Sequence, residues 1–201
     1  MLQNNISASP IYVDCRQLGG SGIGTYIENL IRHYETLSPE VSFEYLARRD
    51  QTAFIKSFSQ AKIKIYNDPI YSIVEQFKWL SKINPFGLLH IPHYNAPLFY
   101  PGKLIVTVHD VCHLAMKQFF PGMLKRIYSG PFLQRVLNKA DRIITVSNFS
   151  KSELIKYYQI PADKITVIYN GVGSIFKPIP SEQSLKTIRK YNLPDTYLLF
   201  V

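Results

Sequence analysis

Short apolar runs, each followed by a turn and a longer stretch of helical periodicity, alternate along this 201-residue chain. The runs are Ile11–Val13, Val41–Leu46, Lys62–Tyr66, Leu88–Ile91, Lys103–Val108, Arg142–Val146 and Lys164–Ile168. Few hairpin signals join them, so successive strands need crossover connections. Crossovers of that kind are right-handed and build a doubly wound, mostly parallel sheet of Rossmann-like α/β type. The runs at 88–91 and 103–108 are almost wholly apolar, as expected of strands covered on both faces.

The intervening stretches predict the helices. Ile23, Tyr26, Ile27, Leu30, Ile31, Tyr34 and Leu37 recur at three- and four-residue steps, with Glu28, Arg32 and Glu35 opposite. Ser38-Pro39 stops that helix. A second is expected near Gln51–Phe58. A third is expected to open at Asp68-Pro69 and to bury Ile70, Val74, Phe77 and Leu80. Pro121–Asn138 predicts a helix kinked or split at Gly130-Pro131. Ser150-x-x-Glu153 reads as a capping box for a helix reaching Tyr158. Asn170-Gly171 is a turn pair, and Glu182–Tyr191 a short final helix.

In such sheets ligands bind in the crevice at the carboxyl ends of the strands. Function is therefore sought at Gly19–Gly24, Pro92–Asn95, His109–His113, Ser147–Phe149 and Asn170–Gly173. The glycine-rich turn lets backbone approach a ligand closely, and helix-start N–H groups attract phosphate or other oxygen-rich groups. Its wording is wrong for two familiar sites. No Lys follows Gly24, as a Walker loop requires, and Thr25 stands where a dinucleotide fingerprint needs glycine. The turn is read as a ligand site at Gly20, Gly22 and Gly24, against the alternative of a bare strand-to-helix turn.

His109 follows a buried strand directly, so its imidazole faces the crevice, where it can bond a sugar hydroxyl. Asp110 is placed to set its tautomer or to bind hydroxyls itself. A structural His109 held by a backbone carbonyl is the alternative. Metal pairs can be drawn between His109 and His113 or His90 and His93, but the Glu of H-E-x-x-H is missing. No G-x-S-x-G elbow is present, and Ser147 has no assigned triad partner.

Charge and cysteine usage narrow the class. The formal net charge is +9, which favours phosphate-bearing partners or an anionic surface. Basic residues crowd the second half, at Lys125, Arg126, Arg135, Lys139, Arg142, Lys151 and Lys156. They form either a solvated face or a membrane-surface patch. The 2 cysteines, Cys15 and Cys112, could pair only if the fold brings them together, and so few favour a reducing compartment. No secretory leader is evident, and no run approaches the roughly 20 apolar residues of a spanning helix. The chain is expected in the cytoplasm, with peripheral contact at the inner membrane face kept open.

Five segments occur in a telling order. They are Asp14-x-Arg16 with Gly22-Ile23-Gly24-Thr25-Tyr26, His90-Ile91-Pro92-His93, Thr107-Val108-His109-Asp110, Ala140 to Ser150, and Lys164 to Val172. Together they resemble the N-terminal domain of glycosyltransferase family 4, the retaining GT-B enzymes, especially bacterial mannosyltransferase-like members. The resemblance implies one half of a two-lobed enzyme that moves a sugar such as mannose from a nucleotide-sugar to a glycan or lipid-linked acceptor. GDP-mannose and a UDP-sugar are both open as donor. It implies a catalytic His109 touching the transferred sugar, and substrate contacts from Gly20, Gly22, Gly24, His93, Asp110 and Ser147. It implies no metal and no bound cofactor, because the departing phosphate assists the incoming hydroxyl.

By the same resemblance, residues 1–178 are the acceptor-side domain. Residues 179–201 are then a linker and the first strand, Tyr197–Val201, of a C-terminal donor-binding domain. An edge strand of the first sheet is the other reading of that run. The family's glutamate pair, with seven residues between its two members, and its diphosphate-neutralising basic motif are absent from these residues. Residues 1–201 alone are therefore expected to be inactive, and a separately encoded C-terminal half is a candidate partner. Nucleic acid is not expected. The alternative is a non-catalytic Rossmann-like module that uses its basic surface for nucleic acid or an anionic membrane.

Overall fold

A computed structural model describes residues 9–70, 72, 75–111, 123–173, 176–179, 181–194, 196 and 198. Two compact units are formed, Met1–Tyr169 and Asn170–Val201.

The first unit is a sheet of seven strands. These are β1 (Ile11–Asp14), β2 (Phe43–Ala47), β3 (Lys62–Ile65), β4 (Leu88–Ile91), β5 (Lys103–Val108), β6 (Arg142–Thr145) and β7 (Ile165–Val167). Their order is β3-β2-β1-β4-β5-β6-β7, and every neighbouring pair is parallel. The winding direction reverses between β1 and β4. That reversal leaves a crevice at the carboxyl ends of these two strands, the usual place for a ligand.

The helices are α1 (Ser21–Leu37), α2 (Thr52–Lys56), α3 (Glu75–Lys82), α4 (Met123–Lys139) and α5 (Asn148–Tyr158), with a 3-10 turn at Arg49–Gln51. Side chains alternate across a strand, so each strand feeds both faces. Val13, Tyr45 and Ala47 pack with Ile27 and Ile31 of α1 and Ile55 of α2. On the other face Tyr12, Leu46, Leu89, Ile91, Leu104, Val106 and Val108 pack with Trp79 of α3, Leu133, Val136 and Leu137 of α4, and Leu154 of α5. Each such side chain taken from water contributes roughly 1.5–3 kcal/mol, which is why the apolar runs become strands covered on both sides.

Three local expectations are corrected. Residues 68–70 are not helical, and α3 begins at Glu75. Asp68 instead accepts from Arg16 through its carbonyl and pairs with Lys78. Phe77 is 59% exposed, and among the described side chains of α3 Trp79 enters the core. Of the other residues expected on that stripe, Val74 lies outside the described residues. Pro131 sits inside one continuous helix, so of the two forms expected, kinked or split, the split is overturned. Ser147, not Ser150, caps α5: its hydroxyl accepts from the Ser150 N–H. The difference is one turn of register, because Ser147-Asn148-Phe149-Ser150 offers two serines at capping distance.

The second unit carries α6 (Ser181–Lys190). Asn192, in the left-handed region at φ 49°, closes it, and the Leu193 N–H donates back to the Ile188 carbonyl. The expected strand Tyr197–Val201 lies outside the described residues except for Leu198, as does Cys112. Cys15 is a free, fully buried thiol, and burial pushes its pKa far above the ordinary value.

Candidate functional site

All seven strands run the same way, so the loops that follow them share one edge of the sheet. The glycine turn leaves β1 there. Gly19 takes φ +83° and Ser21 φ 46°, and Gly20 N–H donates to the Gln17 carbonyl. A Cβ on Gly24 would stand 2.9 Å from the Gln17 carbonyl oxygen and 3.0 Å from the Gly19 nitrogen, so the turn itself requires glycine at 24. A Cβ on Gly22 would meet nothing within 4 Å, and one on Gly20 would make only an ordinary 3.6 Å contact. The fold does not need those two glycines. Gly20 is the N-cap of α1, no side chain caps the helix, and its first turn holds no acidic residue. The helix therefore presents backbone N–H groups and a partial positive charge at an exposed turn.

Beneath the turn lies a fully buried polar cluster across the β1/β4 reversal. Arg16 grips Asp14 with both oxygens, Nε to Oδ1 and Nη2 to Oδ2 at 2.8 Å each, and Nη2 also pairs with Glu75. Glu75 in turn accepts from Asn95 Nδ2 at 2.9 Å. His93 donates from Nε2 to Asp14 Oδ2 at 3.1 Å and accepts the Asn95 N–H on Nδ1. The Arg16 guanidinium lies 4.2 Å from the ring centre of Tyr66 and 4.9 Å from that of Trp79. Burial alone would raise the Asp14 carboxyl; the charge and hydrogen bonds of Arg16, with a bond from His93, hold it well below the usual carboxylate range. The Arg16 carbonyl is held by Gln51 Nε2 at 3.0 Å and by Arg48 Nη1, and Gln51 Nε2 also reaches the Leu18 carbonyl at 2.8 Å. The cluster thus fastens the root of the glycine turn.

His109, at the end of β5, is partly buried. Its Nε2 donates to the Pro92 carbonyl at 3.1 Å, which leaves the lone pair on Nδ1. Burial lowers its pKa, opposed by the Pro92 bond and by the Asp110 charge. The Tyr26 ring, on α1, stands edge-on to the imidazole with centroids 4.8 Å apart. The first turns of α1 and the end of β5 are therefore in contact. The Ser150 hydroxyl donates to the His109 carbonyl, and Ser147 donates to Ser150, so α5 steadies the same loop. Asp110 is exposed beside it.

The candidate residues thus separate into two groups. Gly20, Gly22, His109 and Asp110 line the open edge. His93 is buried with both ring nitrogens engaged, and the Ser147 hydroxyl is spent on the α5 cap. His90 is buried as well, bonded to Tyr34 and Thr107 at 2.9 Å each, and desolvation with the nearby His93 pushes its pKa down to about 4. His113 lies outside the described residues. Sequence reasoning noted Asp14-x-Arg16 but assigned it no role, although an Arg directly after a buried strand needs a buried partner. Glu75 had no signal, because its partner is 59 positions away.

A doubly wound parallel sheet with an uncapped glycine turn after β1 and an imidazole after β5 defines a Rossmann-like lobe. The sequence profile of Glycosyltransferase Family 4 matches residues 20–173, which contain the turn, the His93 and His109 loops and the α5 cap. The chain belongs to that family. It is 32% identical over 113 residues to the O-antigen chain mannosyltransferase B of Escherichia coli, covering 54% of this chain and 29% of that protein. It is 26% identical over 178 residues to the D-inositol 3-phosphate glycosyltransferase of Thermobispora bispora, covering 86% of this chain and 38% of the relative. Among solved structures, Anabaena Alr3699/HepE in complex with UDP superposes with a TM-score of 0.61 at 15% identity, over 92% of this chain and 50% of that one. The fold is thus that of one GT-B lobe, and the chain spans half or less of the length of these relatives. Among the described residues, no helix is long and apolar enough to cross a membrane.

Proposed function

We propose that this domain forms the acceptor-side wall of a glycosyltransferase that moves a sugar, mannose in the leading case, from a nucleotide-sugar to a glycan or lipid-linked acceptor with retention of configuration. The observation that carries the reading is the Tyr26–His109 contact, which joins the helix opened by the exposed glycine turn to a half-buried imidazole at the end of β5, one strand from the sheet's reversal. Similarity to mannosyltransferases of O-antigen synthesis supports mannose, and the Anabaena structure bound to UDP leaves a UDP-sugar as the other donor.

In this reading the N–H groups of Gly20 to Gly22 face oxygens of the donor phosphate or of the acceptor. His109 accepts a hydroxyl proton of the transferred sugar on Nδ1 while Pro92 fixes its tautomer. The family's diphosphate-neutralising basic motif is not found in this sequence, so in this reading the second lobe, whether in the same chain or separately encoded, supplies that chemistry. The test is radiolabelled transfer from GDP-mannose and from UDP-glucose to an isolated lipid-linked glycan. Residues 1–201 should transfer little alone and should gain activity when joined to a family donor lobe. Robust transfer by residues 1–201 alone would overturn the division of labour. No transfer from any donor by the two-lobed protein would overturn the function.

A further inference from the structure

The loops after β1, β2 and β3, with Gly19, Gly20 and Ser21 of the glycine turn among them, line an open cavity of about 540 Å³, within the roughly 300–1,000 Å³ typical of small-molecule sites. It opens on the β2 side of the glycine turn, whereas His109 follows β5 on the other side of β1. Its walls are preformed, because Gln51 ties the Arg16 and Leu18 carbonyls of one loop to its own place on the next.

Three side chains give the cavity its chemistry. Phe54 is 44% exposed and turns an aromatic ring to the opening. Arg48 and Asp50 pair at 3.3 Å through Nε and Oδ1, and Arg48 Nη1 also holds the Arg16 carbonyl. Among the described residues, Arg48 Nη2 and Asp50 Oδ2 have no hydrogen-bond partner, so this pair on the cavity wall retains N–H donors on Arg48 and an acceptor on Asp50. A neutral donor–acceptor pair beside an aromatic ring suits an uncharged polyol, whose hydroxyls both donate and accept and whose C–H face packs on the ring.

We propose that this cavity is a subsite for a neutral pyranose of the acceptor glycan, displaced from the hydroxyl that reacts beside His109. The assignment rests on the sugar-transfer reading above. In that geometry Phe54 supplies the stacking platform and Asp50 with Arg48 reads two ring hydroxyls.

Saturation-transfer NMR on the full protein, with methyl α-D-mannopyranoside and an α-linked mannotriose as probes, tests it directly. Transfer to ring C–H protons is expected, with affinity falling at least 10-fold in Phe54→Ala and in Asp50→Ala. Phe54→Trp should restore binding, and Phe86→Ala, on the opposite edge of the sheet, should bind like the parent. Unfolding midpoints of all variants, followed by circular dichroism, separate lost binding from lost fold. Unchanged binding in both Phe54→Ala and Asp50→Ala overturns the subsite, as does binding of neither probe, or displacement of the saccharide by uridine or guanosine. Transfer assays on the same variants keep the two ideas apart. Sugar transfer with an unaltered acceptor KM in Phe54→Ala removes the subsite and leaves the enzyme, whereas Phe54-dependent saccharide binding without any transfer removes the enzyme and leaves the subsite.

Discussion

His93 Nε2 and Asp14 Oδ2 meet 3.1 Å apart across the reversal of strand order, one at the end of β1 and the other just beyond β4. Both are buried, and Arg16 completes the link to Glu75 and Asn95. Two carboxylates share one guanidinium there, so removing Arg16 takes the cation from both and leaves them hydrogen bonds such as those from His93 and Asn95. Arg16→Met should lose about 3–5 kcal/mol of unfolding free energy, the usual cost of leaving a buried charge unpaired. Trp79, the only tryptophan, lies against the guanidinium and reports the transition by its emission in urea. A loss below 1 kcal/mol would mean that water reaches the cluster and replaces the ion pair.

Periodicity carried most of the fold. The central strand runs were readable because burial on two faces leaves a mostly apolar signature, whereas β3, at the sheet edge, and the α1 stripe showed through their alternation and helical period. The approach to α3 was not readable. Asp68-Pro69 is a sound local start signal, yet the Asp68 carbonyl is drawn to Arg16, 52 residues earlier, and local signals cannot report that pull. The site divides in the same way. His109 and the glycine turn were visible because they end a strand and open a helix. Glu75 and the engaged state of His93 depend on pairings that exist only once β1, β4 and α3 are packed together.

The glycine turn separates steric need from ligand need. Gly24→Ala forces a Cβ against the Gln17 carbonyl and the Gly19 nitrogen, both backbone atoms that cannot step aside. A loss of about 1–3 kcal/mol is expected. Gly22→Ala meets nothing and sits in α1, where alanine is the better helix former by about 0.5–1 kcal/mol. Thermal unfolding should therefore show Gly22→Ala at or above the parent and Gly24→Ala below it. If Gly22 approaches substrate, the stable Gly22→Ala should still raise a substrate KM; an unaltered KM would assign Gly22 to neither role.

Acid stability should carry a signature of His90. Its ordinary pKa of 6.5 is pushed down to about 4 in the folded protein, where it is 2% exposed. Between those values the unfolded chain takes up a proton that the folded one refuses, so stability falls as pH drops through the window. Above pH 6.5 this residue contributes no pH dependence. The full loss is about 3 kcal/mol. Asp14 behaves separately: its lowered pKa keeps its stabilisation until pH falls below the ordinary 3.8. His90→Gln, which can still bond Tyr34 and Thr107, should flatten the curve between pH 4 and 6.5 and leave the lower acid limb in place. An unaltered slope would show that the imidazole accepts its proton without leaving the fold.

In the proposed reaction His109 contacts the transferred sugar, and two substitutions separate its roles. His109→Ala removes both the Pro92 bond and the Nδ1 lone pair, and a kcat loss of roughly 100-fold is expected in the two-lobed enzyme. His109→Gln can donate to Pro92 and offer a carbonyl oxygen near the Nδ1 position, so it should recover part of that loss without changing the acceptor KM. The pH profile gives the sharper test. Burial lowers the His109 pKa, so the neutral ring persists below pH 6.5 and activity should hold until the pH falls through that depressed value. In His109→Gln this acid limb should vanish. Equal, pH-independent losses in both variants would show that the imidazole only braces the Pro92 loop.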